Sequence, residues 1–169
     1  MKFAKLGMLV LVFGYGTAHA AGNDGGLWLG GLAGKQSVNS LKPTSYGLSF
    51  GLKGKSAGFE GLFFTGSKSS GGVDESITQL LGRIDLFAGG KLFYLGPEAG
   101  SATVKASATA GGVTASASVS GFVYGGGAGF NLPLGTGLSL GGDVSYVTGS
   151  FQGTRGNLLT YLGSVKLWF

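Results

Sequence analysis

From Leu27 onwards, apolar side chains recur at every second position through most of the chain, a period of two that predicts β-strands with one apolar face. The clearest stretch sets Tyr46, Leu48, Phe50 and Leu52 against Ser45, Gly47, Ser49, Gly51 and Lys53. Eight such segments can be marked, at about 26–33, 45–53, 57–65, 76–87, 91–100, 118–132, 138–147 and from 158 to the end. The parity of the first is blurred by Gly30 and Gly31. The fourth also fits helical spacing through Ile77, Leu80, Leu81 and Ile84, with Asp74 and Glu75 suited to a helix start. It is read as a strand because its neighbours are strands.

The connections alternate in length. Residues 34–44, 66–75, 101–117 and 148–157 are long gaps, whereas those near Lys55, near Gly89-Gly90 and at 133–137 are short. Long gaps on one side and short ones on the other are what an up-and-down meander of eight strands gives. A transmembrane β-barrel has this asymmetry, with tilted strands of ~9–11 residues. The predicted fold is therefore all-β, an eight-stranded antiparallel up-and-down transmembrane barrel. The low-complexity gap 101–117, built of Ala, Ser, Thr and Gly around Lys105, is expected to project as an extended hairpin whose edges can recruit partners.

Charge placement supports closure around a polar interior. Seven charged residues fall within the strands, namely Lys53, Glu60, Arg83, Asp85, Glu98, Asp143 and Lys166, each opposite the apolar row where one can be recognised. A Lys or Arg facing hydrocarbon would cost up to ~2–4 kcal/mol at the bilayer midplane. Inside, three positive and four negative groups would pair, because eight strands enclose just enough room for side chains. Candidate pairs are Arg83 with Glu98 and Lys166 with Asp143. Gly125, Gly127 and Gly129 on the inward row of the sixth segment either make space for large neighbours or leave a cavity. The aromatics, from Trp28 and Tyr46 to Trp168 and Phe169, are expected to form interfacial girdles.

Composition and termini place the chain. Only 11% of residues are charged, against roughly 25% in soluble domains, and 37 are glycine. Lys2 and Lys5, an apolar run from Leu6 to Phe13 and Ala18-His19-Ala20 read as a secretory signal peptide over residues 1–20, leaving the barrel domain as 21–169. Without that leader the chain carries ten basic and seven acidic residues, a mild balance with no basic cluster for nucleic acid. Cysteine is absent, so neither a disulfide framework nor a thiolate metal site is expected. At the other end, Phe169, Leu167, Val165 and Tyr161 alternate on one face, and a chain ending on Leu-Trp-Phe is unusual for an exposed terminus. This stretch resembles the C-terminal assembly signal of bacterial outer-membrane β-barrels.

Residues 126–132 (Gly-Gly-Ala-Gly-Phe-Asn-Leu) and 138–146 (Leu-Ser-Leu-Gly-Gly-Asp-Val-Ser-Tyr), followed by the terminal Phe, resemble the penultimate hairpin of the OmpA-like, OmpX-like and opacity-protein barrels. The resemblance implies an integral outer-membrane protein with both mature termini periplasmic. It implies partners in outer-membrane lipids, lipopolysaccharide and, through the last strand, the outer-membrane assembly machinery. The expected role is structural or surface-interacting, with the lumen plugged by side chains and a possible surface ligand at the long, Lys- and Arg-bearing loops. The alternative is a narrow channel or transporter for small solutes. An enzyme is not expected: the single histidine, His19, lies in the predicted leader, so the mature chain has no Ser-His-acid or Asp-His set. Asp74-Glu75 reads as a solvated turn. No cofactor or metal is expected.

Overall fold

The computed structural model describes residues 26–38, 41–88 and 92–169. The predicted signal peptide, Lys91 and the Gly89-Gly90 connection lie outside the described residues. Eight strands form one closed antiparallel barrel in sequence order. They are β1 (Gly26–Ser37), β2 (Thr44–Lys53), β3 (Ala57–Ser70), β4 (Val73–Ala88), β5 (Phe93–Ala110), β6 (Val113–Pro133), β7 (Leu138–Phe151) and β8 (Thr154–Trp168). Closure runs from Trp28↔Trp168 to Ser37↔Leu159 between β1 and β8. The stretch that also fitted a helix lies wholly within β4, because only in a closed ladder are all its neighbours' backbone groups satisfied.

Two of the gaps expected to be long loops are strand instead: residues 66–75 and 148–157 continue their ladders up to two-residue turns, closed by Ser70↔Val73 and Phe151↔Thr154. Residues 101–117 form the extended hairpin expected of them, closed by Ala110↔Val113. The turn residues Gly71-Gly72, Gly111-Gly112 and Gln152-Gly153 all have positive φ, the conformation whose twist matches antiparallel strands. Asp74 and Glu75 accordingly sit in β4 and not in a turn. In the gap 34–44, β1 runs on to Ser37 and a bridge pairs Val38 with Leu41.

Alternation sorts side chains as the pattern predicts. Leu48, Phe50, Ile84, Leu95, Phe122, Tyr146 and Val165 are each about half exposed on the outside, while Arg83, Glu60 and Gln79 are fully buried within. The interior departs from a uniformly polar filling. Towards the hairpin end it is apolar, a packed cluster of Leu32, Leu62, Phe64, Ile77, Leu81, Ala102, Val123, Val147, Leu158 and Leu162. Trp28 and Trp168 also depart from the girdle expected of them. Their parity turns them inward at the end where Gly26 and Phe169 lie, with ring centroids 5.0 Å apart, and Trp168 Nε1 donates to Ser139 Oγ at 2.8 Å.

The strands reach unequal heights at the hairpin end. The β6–β7 ladder stops at Val123↔Gly149, whereas β6 stays paired with β5 ten residues further, to Val113. On its other side β5 is backed by β4 as far as Ala108↔Val73.

Candidate functional site: a buried charge cluster in the lumen

The cluster is assembled by parity. Glu60 on β3, Arg83 and Asp85 on β4, Glu98 on β5, Asp143 on β7 and Lys166 on β8 all belong to inward rows and are at most 5% exposed. Register sets Glu60 opposite Arg83 and Arg83 opposite Glu98, so Arg83 begins between two carboxylates. Its guanidinium then reaches four. Nη2 lies 2.5 Å from Glu60 Oε2, Nε 2.6 Å from Asp85 Oδ1, Nη1 2.6 Å from Asp143 Oδ1, and Nη1 3.8 Å from Glu98 Oε2. A second bond from Nη2 to Asp143 Oδ2 at 2.8 Å makes that pair bidentate, the geometry in which a planar fork surpasses a point charge.

Lys166 supplies the second cation. Its Nζ is 2.9 Å from Glu60 Oε1, a close ion pair without the angle of a well-directed hydrogen bond. Asp143, a candidate partner for Lys166 from the sequence, is engaged by Arg83, and the Arg83–Glu98 contact is the longest of the set. Lys53 occupies the inward row of β2, half-buried, with Nζ 5.0 Å and 5.2 Å from the ring centroids of Phe87 and Trp168. With two cations against four carboxylates in the buried group, the remaining acceptors draw on neutral donors. Tyr94 donates its hydroxyl to Asp143 Oδ2 at 2.5 Å, and Ser145 donates to Glu98 Oε1. The Tyr94 ring also lies 4.8 Å from Arg83 Cζ and 5.3 Å from Lys166 Nζ, so both cations rest on its π-face.

The inward glycines of β6 make room for these groups. A Cβ on Gly127 would lie 2.7 Å from Arg83 Nη1 and 3.0 Å from Glu98 Oε2, and one on Gly129 would lie 2.4 Å from the Tyr94 hydroxyl. Of the two roles open in the sequence, Gly127 and Gly129 make space for large neighbours, whereas at Gly125 a Cβ would meet the β7 backbone, 2.0 Å from Tyr146 O. Tyr94 and Ser145 escape a search restricted to ionisable alternation, although both stand on inward rows beside Glu98 and Asp143. So does a polar set at Gln36, Gln79 and Thr160, where Gln79 Nε2 donates to Gln36 Oε1 at 3.3 Å and to Thr160 Oγ1 at 3.4 Å. Among the described residues, no three His, Cys, Asp or Glu side chains are placed to hold a metal ion. The four residues read as an assembly signal, Tyr161, Val165, Leu167 and Phe169, all face outward and are 40–51% exposed.

No protein-family model matches the chain, and no curated protein matches it in sequence. Solved structures do. Neisserial surface protein A aligns with a TM-score of 0.62 at 14% identity, over 86% of this chain and 97% of that one. Ail, the attachment invasion locus protein of Yersinia pestis, aligns with a TM-score of 0.59 at 14% identity, over 85% and 97%. The N-terminal β-barrel domain of Pseudomonas aeruginosa OprF aligns with a TM-score of 0.57 at 11% identity, over 85% and 100%. At such identities the likeness is one of fold, and the fold of this chain is that of the small eight-stranded outer-membrane β-barrels.

Proposed function

We propose that the chain is an integral outer-membrane protein with a structural or surface-interaction role, its lumen plugged by the side chains around Arg83. The observation that carries this reading is an inversion of the soluble pattern: Leu, Phe and Tyr cover the outside of a closed barrel while Arg83, Glu60 and Lys166 are buried within it. Such an outside suits hydrocarbon, and closure leaves no strand edge unpaired within it. In this reading residues 1–20 are the leader, both termini are periplasmic, and Tyr161, Val165, Leu167 and Phe169 are read by the assembly machinery.

The hairpin end would then face outward. It carries exposed Lys35, Lys42, Lys68, Lys105 and Arg155 against Asp74 and Glu75, an excess of cations suited to an anionic surface ligand. The structure of Ail in complex with the heparin analogue sucrose octasulfate shows a polyanion bound to a protein of the same fold. Lipopolysaccharide phosphates offer the same chemistry. The absence of histidine after His19 favours a non-enzymatic role.

Two measurements on refolded protein test the proposal. A boiling-dependent mobility shift on SDS gels is expected of a detergent-resistant barrel. In planar bilayers no steady conductance is expected; a large sustained one would replace the plugged barrel with the channel.

A further inference from the structure

On the tall hairpin the side chains alternate strictly. Ala102, Val104, Ala106 and Ala108 of β5 and Val113, Ala115, Ala117 and Val119 of β6 share one face. Thr103, Lys105, Ser107 and Thr109, with Thr114, Ser116, Ser118 and Ser120, share the other. The hydroxyl row is knitted across the hairpin by Thr103–Ser120 at 2.8 Å and Thr109–Thr114 at 2.9 Å. The outer edge of β6 is another matter. Because β7 ends its ladder at Val123↔Gly149, no backbone partner meets Val113–Ser120 on that side among the described residues, and all but Val119 of these are exposed. Proteins usually guard a free edge with charge, proline or a bulge. This segment, Val-Thr-Ala-Ser-Ala-Ser-Val-Ser, has no charge and no proline over ~25 Å of strand.

The segment is also nearly its own mirror about Ser116. Paired antiparallel with a second copy, Val113 meets Val119, Thr114 meets Ser118, Ala115 meets Ala117, and Ser116 meets Ser116. From Val113 to Val119 every apolar residue then faces an apolar one and every hydroxyl a hydroxyl, the matching that β5 and β6 already show apart from Lys105↔Ser118. We infer that the free edge of β6 is a homotypic interface, pairing antiparallel with the same edge of a second copy about a dyad at Ser116. That dyad is perpendicular to the upright sheet and so lies in the membrane plane. It turns the second barrel to face the first, and the pairing joins two apposed membranes. The membrane apposition rests on the reading of the chain as an outer-membrane barrel; the strand pairing does not.

The absence of native cysteine makes the register measurable. Refolded Ser116→Cys in micelles, oxidised with copper phenanthroline, is expected to give a disulfide-linked band at twice the monomer mass. Val113→Cys alone is expected to stay monomeric, since its two copies lie ~20 Å apart in this register, whereas a mixture with Val119→Cys should cross-link. Ser116→Lys places like charges at the dyad and should abolish clustering of proteoliposomes. Mixing Ser116→Lys vesicles with Ser116→Glu vesicles should restore it. No dimer from Ser116→Cys, or equal yield from Val113→Cys alone, overturns the pairing and leaves the edge to a foreign extended segment. Cross-linking in micelles with proteoliposomes that stay dispersed overturns the apposition. Failure to insert into vesicles at all sinks the outer-membrane reading, and the micelle result still stands or falls by itself.

Discussion

Replacing Arg83 by methionine keeps an unbranched apolar stem and removes the guanidinium around which the lumen is built. Glu60, Asp85 and Asp143 each lose a contact of 2.5–2.6 Å; Lys166 stays 2.9 Å from Glu60, while Asp85 and Asp143 keep no guanidinium contact. Removing one member of a buried ion pair typically costs ~3–5 kcal/mol, because the other charge stays desolvated. The several pairs share one guanidinium, so their costs do not add, and ~3 kcal/mol is a lower bound for the substitution. That is a large part of the ~5–15 kcal/mol by which folded proteins are usually stable. Urea unfolding in lipid vesicles, followed by tryptophan fluorescence, reads the loss directly, since Trp28 lies 5.0 Å from Lys166 Nζ at the foot of the cluster. Adding Asp143→Asn should recover ~1 kcal/mol or more by relieving an orphaned carboxylate. Arg83→Lys keeps the charge without the fork and should fall between wild type and Arg83→Met. If Arg83→Met costs less than ~1 kcal/mol, as an exposed pair would, or the double variant is no more stable than the single, the cluster does not hold the barrel as described.

Gly127→Val would drive a side chain into Arg83 and Glu98, and a loss of ~1–3 kcal/mol is expected in the same urea assay. Gln152→Gly relieves a non-glycine residue at φ 48° in the β7–β8 turn and should raise the urea midpoint by the equivalent of a few tenths to ~1 kcal/mol. Lys166→Gln should lower stability yet leave planar-bilayer recordings silent; steady current from this variant would point to a gated pore. Phe169→Ala keeps the backbone bond from Phe169 N to Leu27 O at 2.9 Å. It should therefore refold normally in vitro while its level in the outer membrane of cells falls; an equal defect in both settings would make Phe169 a packing residue and not an assembly signal.

The fold was legible because a barrel in lipid writes its two faces alternately along the chain. Parity alone put Glu60, Arg83, Asp85, Glu98, Asp143 and Lys166 on inward rows. It could not tell which groups meet, since that depends on the stagger of strands far apart in sequence: Asp143 and Arg83 are 60 residues apart and joined by two hydrogen bonds. The upper parts of the β3–β4 and β7–β8 hairpins, 66–75 and 148–157, look like loops because Ser, Thr and Gly carry weak strand signals and their two-residue turns resemble linkers, whereas the Ala-Val alternation of 101–117 makes its hairpin visible. The apolar upper lumen was legible in retrospect, for Leu62, Phe64, Leu81, Leu158 and Leu162 all stand on inward rows. An expectation of polar filling hid them. Trp28 and Trp168 went astray for a related reason: a tryptophan near a strand end suggests an interface, and its parity decides otherwise.

The unequal height of the strands gives the barrel a front and a back. Seen from above, the β5–β6 hairpin rises on one side of the rim and β7 beside it is lower. A bulky molecule drifting over the mouth meets a fence on one side and an open sill on the other. In the proposed membrane setting the barrel's heading in the bilayer plane decides which neighbours can reach over its rim, so crowding around it is directional even though the barrel wall is continuous.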